Sequence, residues 1–327
     1  MSPRFSASAT AVIAIVALAA SGCGSSSPGA SAPAAKKNLE LIVGTKNDDF
    51  YVTMECGAKQ EARRLGVNLT VNGPADFSVP EQKPIIDAAL ASKPDALLIA
   101  PTDSAALDPD LTQVKSAGIK IVFVDTASAS SSLGVSRISS NNAQGGQIAA
   151  DNLAQQIGGK GTVAVISVNP GVSTTDARIQ GFQREMKAKY PGITVLSTQY
   201  DNDSSATAAT QIEGDISAHP DLSGAFAANV LSAQGVATGV RSAGKSGKVK
   251  VATFDADPQQ MQALQSNTIQ LAIAQAPATE GADAVQQAVY ALDGKPVTAS
   301  IGTPLVAITR QNMNSSTVRP YVYVGSC

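Results

Sequence analysis

The chain has 327 residues, with 24 Lys and Arg, 26 Asp and Glu, one His and a formal net charge of -2. It holds no basic excess to neutralise phosphates, which argues against nucleic acid as a partner. The single histidine, His219 in Ala218-His219-Pro220-Asp221, sits in a helix-stop and turn context and reads as a surface residue, so no metal site is expected.

The first element is the apolar run Val12 to Cys23, VIAIVALAASGC, with Arg4 before it and the small residues Ala20-Ser21-Gly22 at its end. It is an export signal, shorter than the roughly 20 apolar residues of a spanning helix. No second segment approaches spanning length. Because the small-residue end meets a cysteine, it resembles a bacterial lipobox, with Ala20 where lipoboxes usually carry Leu. Residues 1–22 are then a lipoprotein signal peptide, and Cys23 is the lipid-carrying first residue of a protein on the outer face of the cell membrane or in the periplasm. Residues 23–37 are small, polar and punctuated by Pro, and read as a disordered linker. Lipidation leaves two cysteines, and in an oxidising compartment two leftover thiols usually pair. A Cys56 to Cys327 disulfide is predicted, stapling the extreme C-terminus to an early helix.

From Leu39 onward short apolar runs alternate with longer amphipathic stretches about ten times, the rhythm of a parallel sheet. The expected strands are Leu39 to Thr45, Asn68 to Asn72, Ala96 to Pro101, Ile119 to Asp125 and Ser136 to Ser140. Five more are expected over Thr162 to Val168, Thr194 to Thr198, Gly224 to Asn229, Lys250 to Asp255 and Ile269 to Gln275. Helical patterns such as Tyr51 to Leu65, Ala143 to Ile157 and Thr175 to Lys189 lie between them, and several end in Gly. Runs of Val, Ile, Leu and Ala suit strands covered on both faces. Five strands before Asn141 and about five after it predict an α/β fold of two doubly wound lobes. Ligands of such sheets bind outside the carboxyl ends of the strands, so a cleft between the lobes is the expected site.

The residues at those ends are polar in a repeated way. The first strand runs into Gly44-Thr45-Lys46-Asn47-Asp48-Asp49-Phe50-Tyr51, with no GxGxxG to cradle a dinucleotide, and no cofactor is expected. Instead, Phe50 and Tyr51 offer aromatic faces to the C–H faces of a sugar ring, and Asp48 offers a carboxylate to its hydroxyls. Tyr51 reads equally well as a helix-start core residue. Asp125, Asn229, Asp255 and Gln275 each close an apolar strand, a set suited to reading hydroxyls, and Arg178 adds a fork of donors near a helix start.

In order and spacing, TKNDDFYVTMECGAKQEARRLGVNL, NNAQGGQIAADNLA, RIQGF, AHPDLSGAFAAN, ATFDADP and LAIAQAP make the chain resemble the periplasmic sugar-binding proteins of the ribose-binding type, over essentially Leu39 to Gln311. The resemblance implies a type I periplasmic binding fold: two Rossmann-like lobes on a three-segment hinge, which close on one sugar and deliver it to an ABC importer. It implies sugar contacts from Asp48, Phe50, Tyr51, Asp125, Arg178, Asn229, Asp255 and Gln275, with Phe254 stacking on the second ring face. Crossovers are expected near 140–142, 275–277 and 303–305. The first lobe would then hold residues 38–140 and 276–304, and the second 141–275 with the tail 305–327. Thr126 stands where ribose binders carry Arg after the fourth-strand Asp, and Val230 where Asp commonly follows the strand-tip Asn. Gly145 and Gly146 read as tight helix packing beside the hinge. The expected protein is a non-enzymatic monomer that captures a monosaccharide or polyol for an ABC importer permease. The alternative is a sensory binding protein presenting a sugar-like signal to a membrane receptor. A hydrolase lacks a GxSxG after any strand, and a DNA-binding regulator would carry a helix-turn-helix where the export signal stands.

Overall fold

The computed structural model describes residues 36–327. The predicted signal peptide, Cys23 and all but the last two residues of the linker lie outside the described residues.

The first lobe opens with β1 (Asn38–Ile42), α1 (Asp49–Leu65), β2 (Asn68–Asn72), α2 (Val79–Ser92), β3 (Ala96–Ile99), α3 (Asp108–Ser116), β4 (Lys120–Val124) and β5 (Ser136–Ser140). The second follows with α4 (Asn142–Gln156), β6 (Gly161–Ser167), α5 (Ser173–Lys189), β7 (Ile193–Val195), β8 (Gln199–Tyr200), α6 (Ser205–Ala218), β9 (Leu222–Ala227), α7 (Val230–Ser242), β10 (Lys250–Phe254), α8 (Pro258–Gln265) and β11 (Leu271–Ala274). The chain then returns through α9 (Pro277–Leu292) and β12 (Ser300–Thr303), and crosses back to β13 (Val306–Ile308).

Two sheets result, ordered β12-β5-β4-β3-β1-β2 and β13-β11-β10-β9-β6-β7, with β8 beside β6. The pairings are parallel except for β13, which runs antiparallel to β11. The apolar runs dictate this. β3 is buried at every position, as is β6 after its first residue, so helices must cover both faces. Alternation then divides each strand between two cores. In the first sheet Leu39, Leu41 and Leu98 face one side while Ile42, Leu97 and Ile99 face the other. In the second, Ala164 and Ile166 oppose Val163 and Val165.

The expected strands appear, β2 and β5 with the bounds read from the sequence and the others with carboxyl ends one to three residues earlier than the apolar runs suggested. The stretch expected as Thr194 to Thr198 is strand only over β7 (Ile193–Val195), and a separate two-residue β8 (Gln199–Tyr200) follows it. β12 and β13 have no counterpart in the sequence reading. They are edge strands of 4 and 3 residues, half-exposed, and give no apolar run.

The chain changes sheets after Ser140, after Ala274 and after Thr303. It also crosses a fourth time. Val318 is buried in the second lobe's core, yet Tyr323 is buried in the first lobe's core, so the tail, assigned to the second lobe, ends in the first, as the predicted Cys56 to Cys327 pairing requires. Burial of that ring, and the approach of Cys327 to Cys56 on α1 with Cα atoms 5.4 Å apart, bring the terminus back.

Candidate functional site

Asp125 and Asp255 each follow the last residue of a strand, β4 in one lobe and β10 in the other. Both take left-handed backbone angles, φ 61° and 76°, which non-glycine residues adopt at a cost of order 1 kcal/mol or more. In both cases the backbone N–H still donates to the neighbouring strand, to Ile138 O and Ile273 O at 2.8 Å, so the ladder continues while the side chain is swung out of it. Two equivalent carboxylates, one from each lobe, thereby line the same cavity.

Each is held by a tyrosine. Tyr51 Oη donates to Asp125 Oδ2 at 2.8 Å, and Tyr323 Oη to Asp255 Oδ1 at 2.8 Å. Gln275 Nε2 donates to the same Asp255 Oδ1 at 2.7 Å. Asp125 Oδ1 and Asp255 Oδ2 thus take no side-chain hydrogen bond and are open to a ligand, while the Val230 backbone N–H also stabilises the Asp255 carboxylate. Gln275 Oε1 is a further buried acceptor without a protein partner.

Arg178 is the buried cation of the site. Its Nε donates to Asn142 Oδ1 at 2.7 Å and its Nη1 to Ala228 O at 2.8 Å, while Nη1 lies 4.0 Å from Asp255 Oδ2. Neither hydrogen bond uses Nη2. The guanidinium stands over the Phe254 ring, 4.0 Å from its centroid. This corrects the expectation that Phe254 stacks on a ligand: the ring is fully buried in the second lobe's core, and Arg178 covers the face it would present.

The other expected residues also reach the cleft. Asp48 caps α1 by accepting from Phe50 N at 2.7 Å, and Phe50 packs edge-on against Tyr51. Asn229 lines the cavity, but its Oδ1 caps α7 through Ser232 N at 3.1 Å and its Nδ2 donates to Asp203 Oδ1 at 2.7 Å. It therefore organises a fourth carboxylate, Asp203, as well as the wall. Thr126 turns its hydroxyl away to Pro101 O, and Val230 packs into the first lobe's core across the cleft. The cavity among these residues is small, about 40 Å³.

Burial dominates the electrostatics. It raises Asp125 to about 6 even though Arg178 and the Tyr51 hydroxyl pull the other way. It raises Asp203 to about 6 against the Asn229 bond, and raises Asp255 against Arg178, Gln275 and Tyr323. Asp48 is pushed well up, by burial first and then by the charges of Asp255 and Asp203. Four carboxylates around one guanidinium have too few donors among themselves.

A profile of the periplasmic binding protein domain family matches residues 39–296. The chain belongs to that family. The ribose import binding protein of Escherichia coli K12 is 31% identical over 85% of this chain and 92% of its own. Among solved structures, this binding protein is similar to an ABC transporter solute binding protein from Agrobacterium vitis bound with α-D-tagatopyranose. The two are 42% identical with TM-score 0.87 over 88% of this chain and all of the other. It is also similar to a carbohydrate transporter solute binding protein from Agrobacterium radiobacter in complex with D-arabinose, at 29% identity and TM-score 0.85, covering 88% of this chain and 99% of that one.

The sequence reading missed Phe77, Thr174, Thr175, Asp203 and Tyr323. The first four line the cavity, and Tyr323 holds Asp255. Thr174 and Thr175 carried a signal, since they open the helix after β6 as Phe50 and Tyr51 open the helix after β1. The binding protein has no helix among its described residues long and apolar enough to cross a membrane, and no metal-holding cluster there.

Proposed function

We propose that this protein captures one neutral monosaccharide or polyol between its lobes and delivers it to an ABC importer, without catalysing a reaction. The observation that carries the reading is the donor-poor cavity. Asp125 Oδ1, Asp255 Oδ2 and Gln275 Oε1 await donors, and Phe50, Tyr51 and Phe77 supply ring faces. A sugar hydroxyl donates to a carboxylate and accepts from Arg178 Nη2, while its ring C–H face packs on an aromatic. An anion would meet four carboxylates with one cation to balance them.

The relatives support the same class, since they bind D-tagatose in its pyranose form and D-arabinose or serve ribose import. Membership in a periplasmic binding family puts the working compartment outside the cytoplasm. A lipid on Cys23 would hold the protein, as a monomer, against the outer face of the membrane that carries its permease. Calorimetric titration with D-ribose, D-arabinose, D-tagatose, D-allose and common polyols tests the reading, with saturable one-to-one heat expected from at least one. A folded protein that binds none of them overturns it.

A further inference from the structure

The tail brings against Asp255 a side chain that belongs to neither set of strand-tip residues. Beyond β13 it stays against the second lobe as far as Val322, then crosses, and Tyr323 is 2% exposed among first-lobe residues. Its last residues are fastened to α1. The Val324 backbone N–H donates to Thr53 Oγ1 at 2.9 Å, and the Cys327 sulfur meets that of Cys56.

Tyr323 consequently holds both lobes at once. Its ring packs edge-on against Phe50, with centroids 5.7 Å apart. Its backbone N–H donates to Ala256 O at 3.0 Å, and its hydroxyl donates to Asp255 Oδ1 while accepting from the Gln275 backbone N–H at 3.2 Å. The internal likeness of the lobes gives this arrangement its meaning. In the first lobe the strand-tip Asp125 is oriented by Tyr51, the third residue of α1. The corresponding positions of α5 hold Thr174 and Thr175, so the second lobe has no such tyrosine of its own. The tail supplies it from across the cleft.

We propose that Tyr323 is a positioning residue of the ligand site, occupying Asp255 Oδ1 so that Oδ2 faces the ligand, and that the Cys56–Cys327 disulfide is the latch that keeps it there. This rests on the sugar-binding reading above. Affinity for the ligand then depends on a covalent link that lies outside the cavity, between α1 and the last residue of the chain.

Titration of wild type with D-tagatose, D-arabinose and D-ribose selects the tightest of the three as probe. Tyr323→Phe, which keeps the ring, is expected to weaken that probe roughly ten- to hundredfold, the worth of a hydrogen bond to a charged group. The Cys56→Ser/Cys327→Ser pair is expected to weaken it as well, and to add nothing to Tyr323→Phe, because both act through one contact. A Tyr323→Phe affinity within twofold of wild type, or strictly additive effects, overturns the proposal. Should wild type bind none of the three sugars, the sugar reading is what fails, and amide exchange of the unliganded protein still tests the latch. The N–H groups of Gln275, Tyr323 and Val324 should exchange faster in the serine pair, and unchanged rates refute it. Two free thiols in denatured wild type, counting only Cys56 and Cys327, refute it equally.

Discussion

Replacing Glu280 by Gln should stabilise the protein, and increasingly so as pH rises. Glu280 lies in the first turn of α9 and is fully buried. Its Oε1 accepts from Ser140 Oγ at 2.8 Å, at the end of β5, and from Thr303 Oγ1 at 2.7 Å, at the end of β12, while Oε2 has no partner. One carboxyl thus ties together the three segments on which the lobes hinge. Burial pushes its pKa up to about 8, with the Asp125 charge adding to the rise and the two hydroxyls and Arg178 opposing it. The folded value lies above the ordinary 4.5, so the folded state keeps a proton that the unfolded chain has released. The associated stability is fully present below about pH 4.5 and is lost as pH rises through about 8, at up to about 1.4 kcal/mol per pH unit. The whole shift sets a ceiling of about 5 kcal/mol. A Gln side chain is isosteric, still accepts from Ser140 and Thr303 through its oxygen, and never ionises. Urea unfolding of Glu280→Gln and wild type at about pH 5 and about pH 9 should show similar stabilities at the lower pH and a gap of several kcal/mol in favour of the variant at the higher one. A gap that does not change with pH refutes the reasoning.

Asp255→Ala should abolish measurable sugar binding by calorimetry, since it removes the free acceptor Oδ2 and leaves Gln275 Nε2 and the Tyr323 hydroxyl unpaired in a buried site; binding within tenfold of wild type would contradict the assignment. Gly146→Ala should destabilise by about 1–3 kcal/mol in urea and weaken sugar binding together, because a Cβ there would lie 2.0 Å from Arg178 O, forcing α4 off α5 and moving the guanidinium. An unaffected affinity in a destabilised Gly146→Ala would uncouple that helix contact from the site. Cys23→Ala expressed in a bacterial host should move the protein from the detergent phase to the aqueous phase on phase separation, and no change would remove the lipid anchor.

The two-lobed fold was legible because buried parallel strands leave long apolar runs, and the carboxylates at their ends stand out against those runs. The placement of Asp125, Asp255 and Gln275 at the cavity was readable for that reason. Phe254 was misread although the pattern contained the answer: alternation places it on the face of Ala252, toward the core beneath α4, and only the left-handed turn at Asp255 points into the cleft. Gly145 and Gly146 did read correctly as packing residues, against Phe254 and Arg178 respectively. Tyr323 left no local trace. It lies 68 residues from Asp255 in a tail with little regular structure, and its place follows from a chain path that no periodicity encodes. Asp203 and Phe77 sit in loops, where the sequence pattern carries no orientation.

The arrangement also explains how two lobes with separate cores make a single site. Together the lobes bury carboxylates with too few donors, and burial lifts the pKa values of Asp125, Asp203 and Asp255. A polyhydroxylated neutral ligand brings the missing donors without bringing charge, so its hydroxyls favour the ionised carboxylates and its presence favours the closed arrangement in which both Asp125 and Asp255 are reached. Arg178, fixed by Asn142 and Ala228 within the second lobe, lies within the field of Asp125 in the first. The ligand and the guanidinium therefore act on the same carboxylates, one through donated hydrogen bonds and the other through charge. In the proposed reading, selectivity among sugars falls to the hydroxyl geometry that Asp125 Oδ1, Asp255 Oδ2 and Gln275 Oε1 impose, together with Asp48, Asp203 and Arg178 around the same cavity.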